Sequence, residues 1–278
     1  MPLKNAPAKS SRCSNPVKDR SLLLPLSIFF FRAPVRGIRP FVYGLLALAF
    51  ACHAPPARAD YTSGYKAYQA GNYEMARAQW RVAAQEDDPR AQYALGLLYY
   101  RGLAGPQDYR QAAEWFALAA RANHPNAIYY LGLMYFNGWG LRYDQFRATE
   151  FFKRALRAAP SNSDAAFLIG EQYFHGRGAE QNYVEAAHYY RIAAENGMHA
   201  AQFLLGAMTE RGWGVEPDYA DAYYWLRRSA LGPLTLPPGV ELEMDPATAI
   251  ANLEPKLRLE EIRRVDEWLK ELLVPQMK

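Results

Sequence analysis

Cysteine is nearly absent from this chain. Its 278 residues hold two, Cys13 and Cys52, both within the first 59. The remainder cannot form a disulfide, which excludes a disulfide scaffold. Long apolar runs are missing too: Phe41 to Cys52 covers twelve residues, too few to span a bilayer comfortably. Positive charge is confined to one end. Nine of the 32 Lys and Arg and one of the 28 Asp and Glu lie in residues 1–59, leaving 23 basic against 27 acidic residues beyond. A mildly acidic body argues against nucleic acid as a partner, which would select clustered positive charge. What is present suits a packed core: 50% of residues are apolar, 14% aromatic and only 22% charged, which excludes a disordered chain.

Residues 1–59 read as a leader. Arg36 and Arg39 precede the apolar run, and His53-Ala54-Pro55-Pro56-Ala57-Arg58-Ala59 follows it. Ala57-x-Ala59 suits a signal peptidase that accepts small side chains, so cleavage is expected after Ala59. A second apolar stretch, Ser21 to Phe31, is interrupted by Pro25. It is most simply read as an over-long start, with translation beginning near Val35; the alternative is a retained membrane-proximal leader. Ala49-Phe50-Ala51 before Cys52 is a poor lipidation signal, because it lacks a Leu and carries a bulky Phe.

The body repeats. Leu95-Gly96, Leu131-Gly132, Ile169-Gly170 and Leu205-Gly206 recur at spacings of 36, 38 and 36 residues. Other columns stay in register: Ala91, Ala127, Ala165 and Ala201 before the pair; Gly102, Gly138, Gly176 and Gly212 after it; then Ala104, Gly140, Gly178 and Gly214. Asp108, Asp144, Asn182 and Asp218 follow, then Ala112, Ala148, Ala186 and Ala222, and the aromatics Trp115, Phe151, Tyr189 and Trp225. Ala91, Leu95, Leu98 and Tyr99 fall near one face of a helix. Gly96 lets a neighbouring helix approach, Gly102 can end its helix with φ > 0, and Asp108 can cap the next. Each unit is a helical hairpin that cannot bury its apolar face alone, so copies must stack.

The pattern A-x-x-x-L-G-x-x-Y-x-x-G-x-G-x-x-x-D-x-x-x-A-x-x-W/F/Y resembles the Sel-1-like repeat, a relative of the tetratricopeptide repeat. The resemblance covers residues 60–232, with four full copies and an opening copy, Asp60 to Asp88. In that copy Gly64, Ala76, Trp80 and Ala83 align, but the inter-helix loop has the shorter tetratricopeptide length. Ala104, Thr209 and Ser229 depart from the pattern. The expected fold is an all-α, right-handed α-solenoid with a C-terminal capping helix. Residues 233–278 read as a linker containing Pro233, Pro237, Pro238 and Gly239, followed by helices. Asp245-Pro246 starts one of these, and Leu259, Ile262, Val265, Leu269 and Leu272 form an apolar stripe that covers the last repeat.

Catalytic chemistry is hard to find. Ser63-Gly64-Tyr65-Lys66 matches S-x-x-K, but the S-D-N and K-T-G motifs of penicillin-recognising enzymes are absent, so the match reads as chance. His124, His175, His188 and His199 have no metal-ligand spacing and are expected to be ordinary solvated histidines at helix ends or surfaces. Gly138-Trp139-Gly140 and Gly212-Trp213-Gly214 occupy the repeat's turn and are followed by no Lys-Ser/Thr, so they are not phosphate loops. No catalytic residue, metal or cofactor is expected.

In the superfamily the chain resembles, first helices line the concave surface. Register then places Tyr61, Tyr93, Tyr129, Phe167 and Phe203 in one groove row. Tyr68, Tyr100, Phe136, Phe174 and Glu210 form a second. Arg101, Asn137, His175 and Arg211 lie along the edge, with Tyr65 beside them. One reading is that the rings pack between repeats; the other is a peptide-binding groove, since aromatics give large contact area with few rotors to freeze. The leader and the resemblance together imply an exported, periplasmic, non-enzymatic scaffold. It would be a monomer without a membrane span in its mature form, binding another envelope protein or a peptide. The rival is a peptidoglycan- or β-lactam-related enzyme or ligand binder. A third reading is a factor lipid-anchored at Cys52.

Overall fold

A computed structural model describes residues 60–273. The leader, including Cys52 and the expected start and cleavage points, lies outside the described residues, as does the Leu272 side chain. Five hairpins follow one another: α1 (Tyr61–Gln69) with α2 (Tyr73–Gln85), α3 (Pro89–Arg101) with α4 (Tyr109–Arg121), α5 (Pro125–Asn137) with α6 (Gln145–Ala158), α7 (Ser163–His175) with α8 (Tyr183–Glu195), and α9 (His199–Arg211) with α10 (Tyr219–Ser229). Then come α11 (Pro246–Leu253), a 3₁₀ turn (Glu254–Lys256) and α12 (Leu259–Leu273). There is no strand among the described residues. The result is an all-α solenoid.

The repeating columns act as their chemistry suggests. Asp108, Asp144, Asn182 and Asp218 cap α4, α6, α8 and α10 by accepting from amides of the first turn, satisfying donors that the helix cannot. Gly102, Gly138, Gly176 and Gly212 end the first helices with φ between 66° and 72°, a left-handed conformation that costs glycine little.

In every hairpin but the last, the glycine facing the second helix is a seat for a ring. A Cβ on Gly96 would stand 2.5 Å from Phe116, one on Gly132 2.5 Å from Phe152, and one on Gly170 2.7 Å from Tyr190. Gly64 meets Trp80 in the same way, while Gly206 meets Leu226 at 2.9 Å. The seated residue follows the Trp115, Phe151, Tyr189 and Trp225 column by one position. At about 100° per residue both positions lie near the inward face.

The second loop glycine joins neighbouring hairpins. Gly140 lies against the backbone of Tyr109, Gly178 against Gln145, and Gly214 against Tyr183, each too close to admit a side chain. Each loop thus packs on the start of the preceding hairpin's second helix.

Beyond α10 the structure departs from a plain linker. Residues 233–244 form no helix or strand; Thr235 N–H donates to the Pro233 carbonyl at 3.0 Å, and at a turn around Pro238-Gly239 Val240 N–H donates to the Pro237 carbonyl at 3.2 Å. Pro237 is buried, and Leu236, Val240, Leu242 and Met244 pack on the core of the solenoid. Glu241 and Glu243 between them are exposed. α11 begins at Asp245, which accepts from the Thr248 amide. Leu253 of α11 and Val265 and Leu269 of α12 bury against Ala222, Tyr223 and Leu226 of α10. Leu259 does not join them and is 61% exposed. It sits about 120° around the helix from Val265, at the margin of the stripe.

Candidate functional site: the face of the first helices

The first helices α3 and α5 approach one another, and the first helices carry the rows expected from register. Each row is anchored to its own hairpin by the ring on the glycine. Tyr61 and Tyr68 flank Trp80 at 6.0 and 5.7 Å between centroids, Tyr93 and Tyr100 flank Phe116 at 5.9 and 6.5 Å, Tyr129 and Phe136 flank Phe152 at 6.0 and 6.1 Å, and Phe167 and Phe174 flank Tyr190 at 5.6 and 6.5 Å. Phe203 instead packs near the cluster formed by α10, α11 and α12.

Burial divides the first row. Phe167 is 0% and Tyr129 7% exposed, so these two belong to the core and offer a partner little. Tyr61, Tyr68, Tyr93, Tyr100, Phe136, Phe174 and Phe203 are half-buried, with Asn137 and Glu210. Tyr65, Arg101, His175 and Arg211 are exposed.

The first two hairpins form a hydroxyl-rich aromatic surface. Arg101 donates to the Tyr68 hydroxyl at 3.3 Å, and the Arg90 guanidinium lies 5.0 Å from the Tyr61 ring. Tyr130, which register did not single out, meets Tyr100 at 5.1 Å and Tyr93 at 6.0 Å. Trp139 stacks on Tyr109 at 5.5 Å and touches Tyr100 at 5.9 Å; Trp213 repeats this on Tyr183 and Phe174. Burial, and then the neighbouring Tyr130, push the Tyr100 phenol up to about 12, so it is a neutral hydrogen-bonding group at physiological pH.

The later hairpins are more apolar and partly occupied by the chain itself. Asn137 donates to the Pro238 carbonyl at 3.3 Å, and Gly239 packs on its side chain. Glu210 pairs with Lys256 at 2.7 Å. A pocket of about 310 Å³ lies beside Leu242, lined by Phe174, His175, Phe203, Arg211 and Trp213. At its side Tyr190 donates to Glu171, which also meets His175 at 3.4 Å. Neither Glu171 nor Leu242 was expected from register. Glu171 lies just after Gly170 and carries no motif, and Leu242 lies in what reads as a linker.

The residues considered for catalysis have structural partners. Ser63 donates from its amide and its hydroxyl to Asp60, both at 2.8 Å, as part of the cap of α1, and these bonds hold the Asp60 carboxyl below the usual range. His124 is not a freely solvated histidine: its ring is half-buried, stacks on Tyr93 at 4.6 Å and accepts from the Ala127 amide, and burial lowers its pKa. His199 is likewise tied, to Gln202 at 3.0 Å and the Arg228 carbonyl at 3.1 Å. Among the described residues, no group of three or more His, Cys, Asp or Glu is placed to hold a metal ion. In the same residues no helix is long and apolar enough to cross a membrane.

Stacked helical hairpins with ring-on-glycine seats define a helical-repeat protein of the tetratricopeptide-like class. The Sel1 repeat family matches residues 89–124, 125–159, 163–198 and 199–232, and the chain belongs to this family. Its fold is similar to a Sel1 repeat protein from Oxalobacter formigenes, with a TM-score of 0.58 and 29% identity over 62% of this chain and 70% of the other. It is also similar to c5321, a protective antigen of uropathogenic Escherichia coli with an SLR fold. That match has a TM-score of 0.58 and 34% identity over 61% of this chain, but only 37% of c5321. No curated protein matches its sequence significantly. Sel1 repeat proteins typically act as protein-interaction scaffolds.

Proposed function

We propose that the protein is an exported, periplasmic adaptor that binds a protein or peptide partner along the face of its first helices. The observation that carries this reading is the half-buried ring that each of the first four first helices presents at the second-row position, Tyr68, Tyr100, Phe136 and Phe174, edged by Arg101, Asn137, His175 and Arg211. Half-buried aromatics offer large contact area while their packed side fixes the rotamer, so little entropy is lost on binding. The leader supports export, and the cysteine-free body needs no oxidative folding. Against an enzyme of the S-x-x-K type stands the use of the Ser63 hydroxyl in a helix cap.

Crosslinking in cells tests the reading. The tagged wild-type protein is expected to capture a discrete envelope partner, and the Tyr100→Ala, Phe136→Ala double variant to lose it while keeping its helical signal. Full capture by a folded double variant would move the site elsewhere. N-terminal sequencing of the exported protein is expected to begin at Asp60.

A further inference from the structure

The non-helical segment after α10 reaches Asn137 of the third hairpin and packs on the core of the later hairpins. Leu234, Leu236, Val240, Leu242 and Met244 are half-buried and alternate with exposed residues on both sides of the turn. That is how an extended peptide would lie in a groove, one face in and one face out. The turn sits at Asn137, in the third hairpin. Leu236, Val240, Leu242 and Met244 pack on the core cluster that runs from α4 to α10, whereas the separate core cluster of α2 and α3 is formed without them. Its polar anchoring is slight: Asn137 supplies a side-chain bond, and the backbone bonds of Thr235 to Pro233 and Val240 to Pro237 stay within the segment. Leu242 also leaves a pocket of about 310 Å³ beside it, space that a larger side chain would fill.

We propose that residues 234–244 are a displaceable strap that occupies the partner site of the later hairpins in cis. The partner is an extended peptide with apolar side chains at alternate positions, carrying an aromatic residue at the register of Leu242. The inference rests on the groove reading above, but its test needs no cellular partner, so the two can fail separately. A tethered strap acts at an effective concentration on the order of 1 mM. For an intrinsic affinity of roughly 100 µM it would weaken binding of a competing peptide about tenfold.

The probe is a fluorescent peptide of residues 233–245. It is measured against the intact protein and against a full chain whose residues 234–244 are replaced by glycine and serine. The strapless chain is expected to bind it about tenfold tighter than the intact protein. A Leu242→Asp peptide should bind at least tenfold more weakly, and a Leu242→Phe peptide several-fold more tightly. Equal binding to both chains, no binding to a folded strapless chain, or tight binding of the Asp peptide would overturn the proposal. Weaker binding of the Phe peptide would overturn the aromatic assignment. If the strapless chain fails to fold, Leu242→Asp in the full chain replaces it. Loss of the helical signal in both would make the segment a structural element, and an intact-chain dimer dissolved by the free peptide would place the strap between copies; either result overturns the cis arrangement.

Discussion

The first two hairpins present Tyr61, Tyr68, Tyr93 and Tyr100 where the last two present Phe167, Phe174, Phe203 and Glu210. Backbone and glycine seats are nearly the same at both ends, so the contrast lies in what covers the rings. A tyrosine can keep its body on the core and its hydroxyl among polar groups, as Tyr68 does with Arg101. A phenylalanine has no such tip; Phe174 and Phe203 line the pocket beside Leu242, and Phe203 also packs on the cluster of the C-terminal helices. One repeat thus supports a wettable region and a covered one through a single oxygen atom per ring.

The largest expected effect tests the shared scaffold. Gly132→Val, at the boundary between the two regions, puts a branched side chain where Phe152 sits and should destabilise the fold by about 3 kcal/mol. The matching change at Gly206 meets Leu226 at 2.9 Å and the Ala222 carbonyl oxygen at 3.0 Å, against 2.5 Å from Phe152 at Gly132, and should cost less. Equal melting temperatures for the two variants would show that the ring seats are not special.

Next is the open region. Tyr100→Ala with Phe136→Ala should weaken partner capture about thirtyfold, roughly 2 kcal/mol. Circular dichroism should still show helix; collapse of that signal would assign both rings to the core, as already holds for Phe167.

A smaller effect concerns pH. Burial lowers the His124 pKa below its ordinary 6.5, so the unfolded chain binds that proton more readily. The site's stability is therefore fully present above about pH 6.5 and is lost as pH falls through the depressed folded value. His124→Asn keeps a capping side chain and should flatten this part of a pH–melting curve. An unchanged slope would mean that the ring remains hydrated. The smallest effect is expected for Ser63→Ala, which removes an exposed hydroxyl bond to Asp60 and should shift stability by about 0.5 kcal/mol or less. β-Lactam acylation that disappears in this variant would reverse the functional reading.

Much of the fold was legible because each column obeys a local rule: Asp before a helix, glycine after one, small residues facing large. The ring that fills the glycine seat was harder to assign, since Trp115 and Phe116 both point broadly inward and only the facing helix chooses between them. Burial of Tyr129 and Phe167 was unreadable for a similar reason: register gives direction, and depth depends on neighbouring hairpins. The strap was harder still. Val240-Glu241-Leu242-Glu243-Met244 has the alternation of an extended segment, but nothing local says which surface it meets. Proline-rich composition pointed to a linker. Asn137, read as a groove residue, holds the turn of that segment.

The loop glycines also set where the solenoid can bend. Gly140, Gly178 and Gly214 press backbone on backbone and leave those three joints no slack. At the first joint Ala104 replaces the glycine, and its carbonyl takes a 2.6 Å bond from Arg77, while Gly105 finds only the end of that side chain, at 3.6 Å. A long side chain yields where stacked backbones do not. The first joint is therefore fastened by the tip of one arginine, and the later three by main chain lying on main chain.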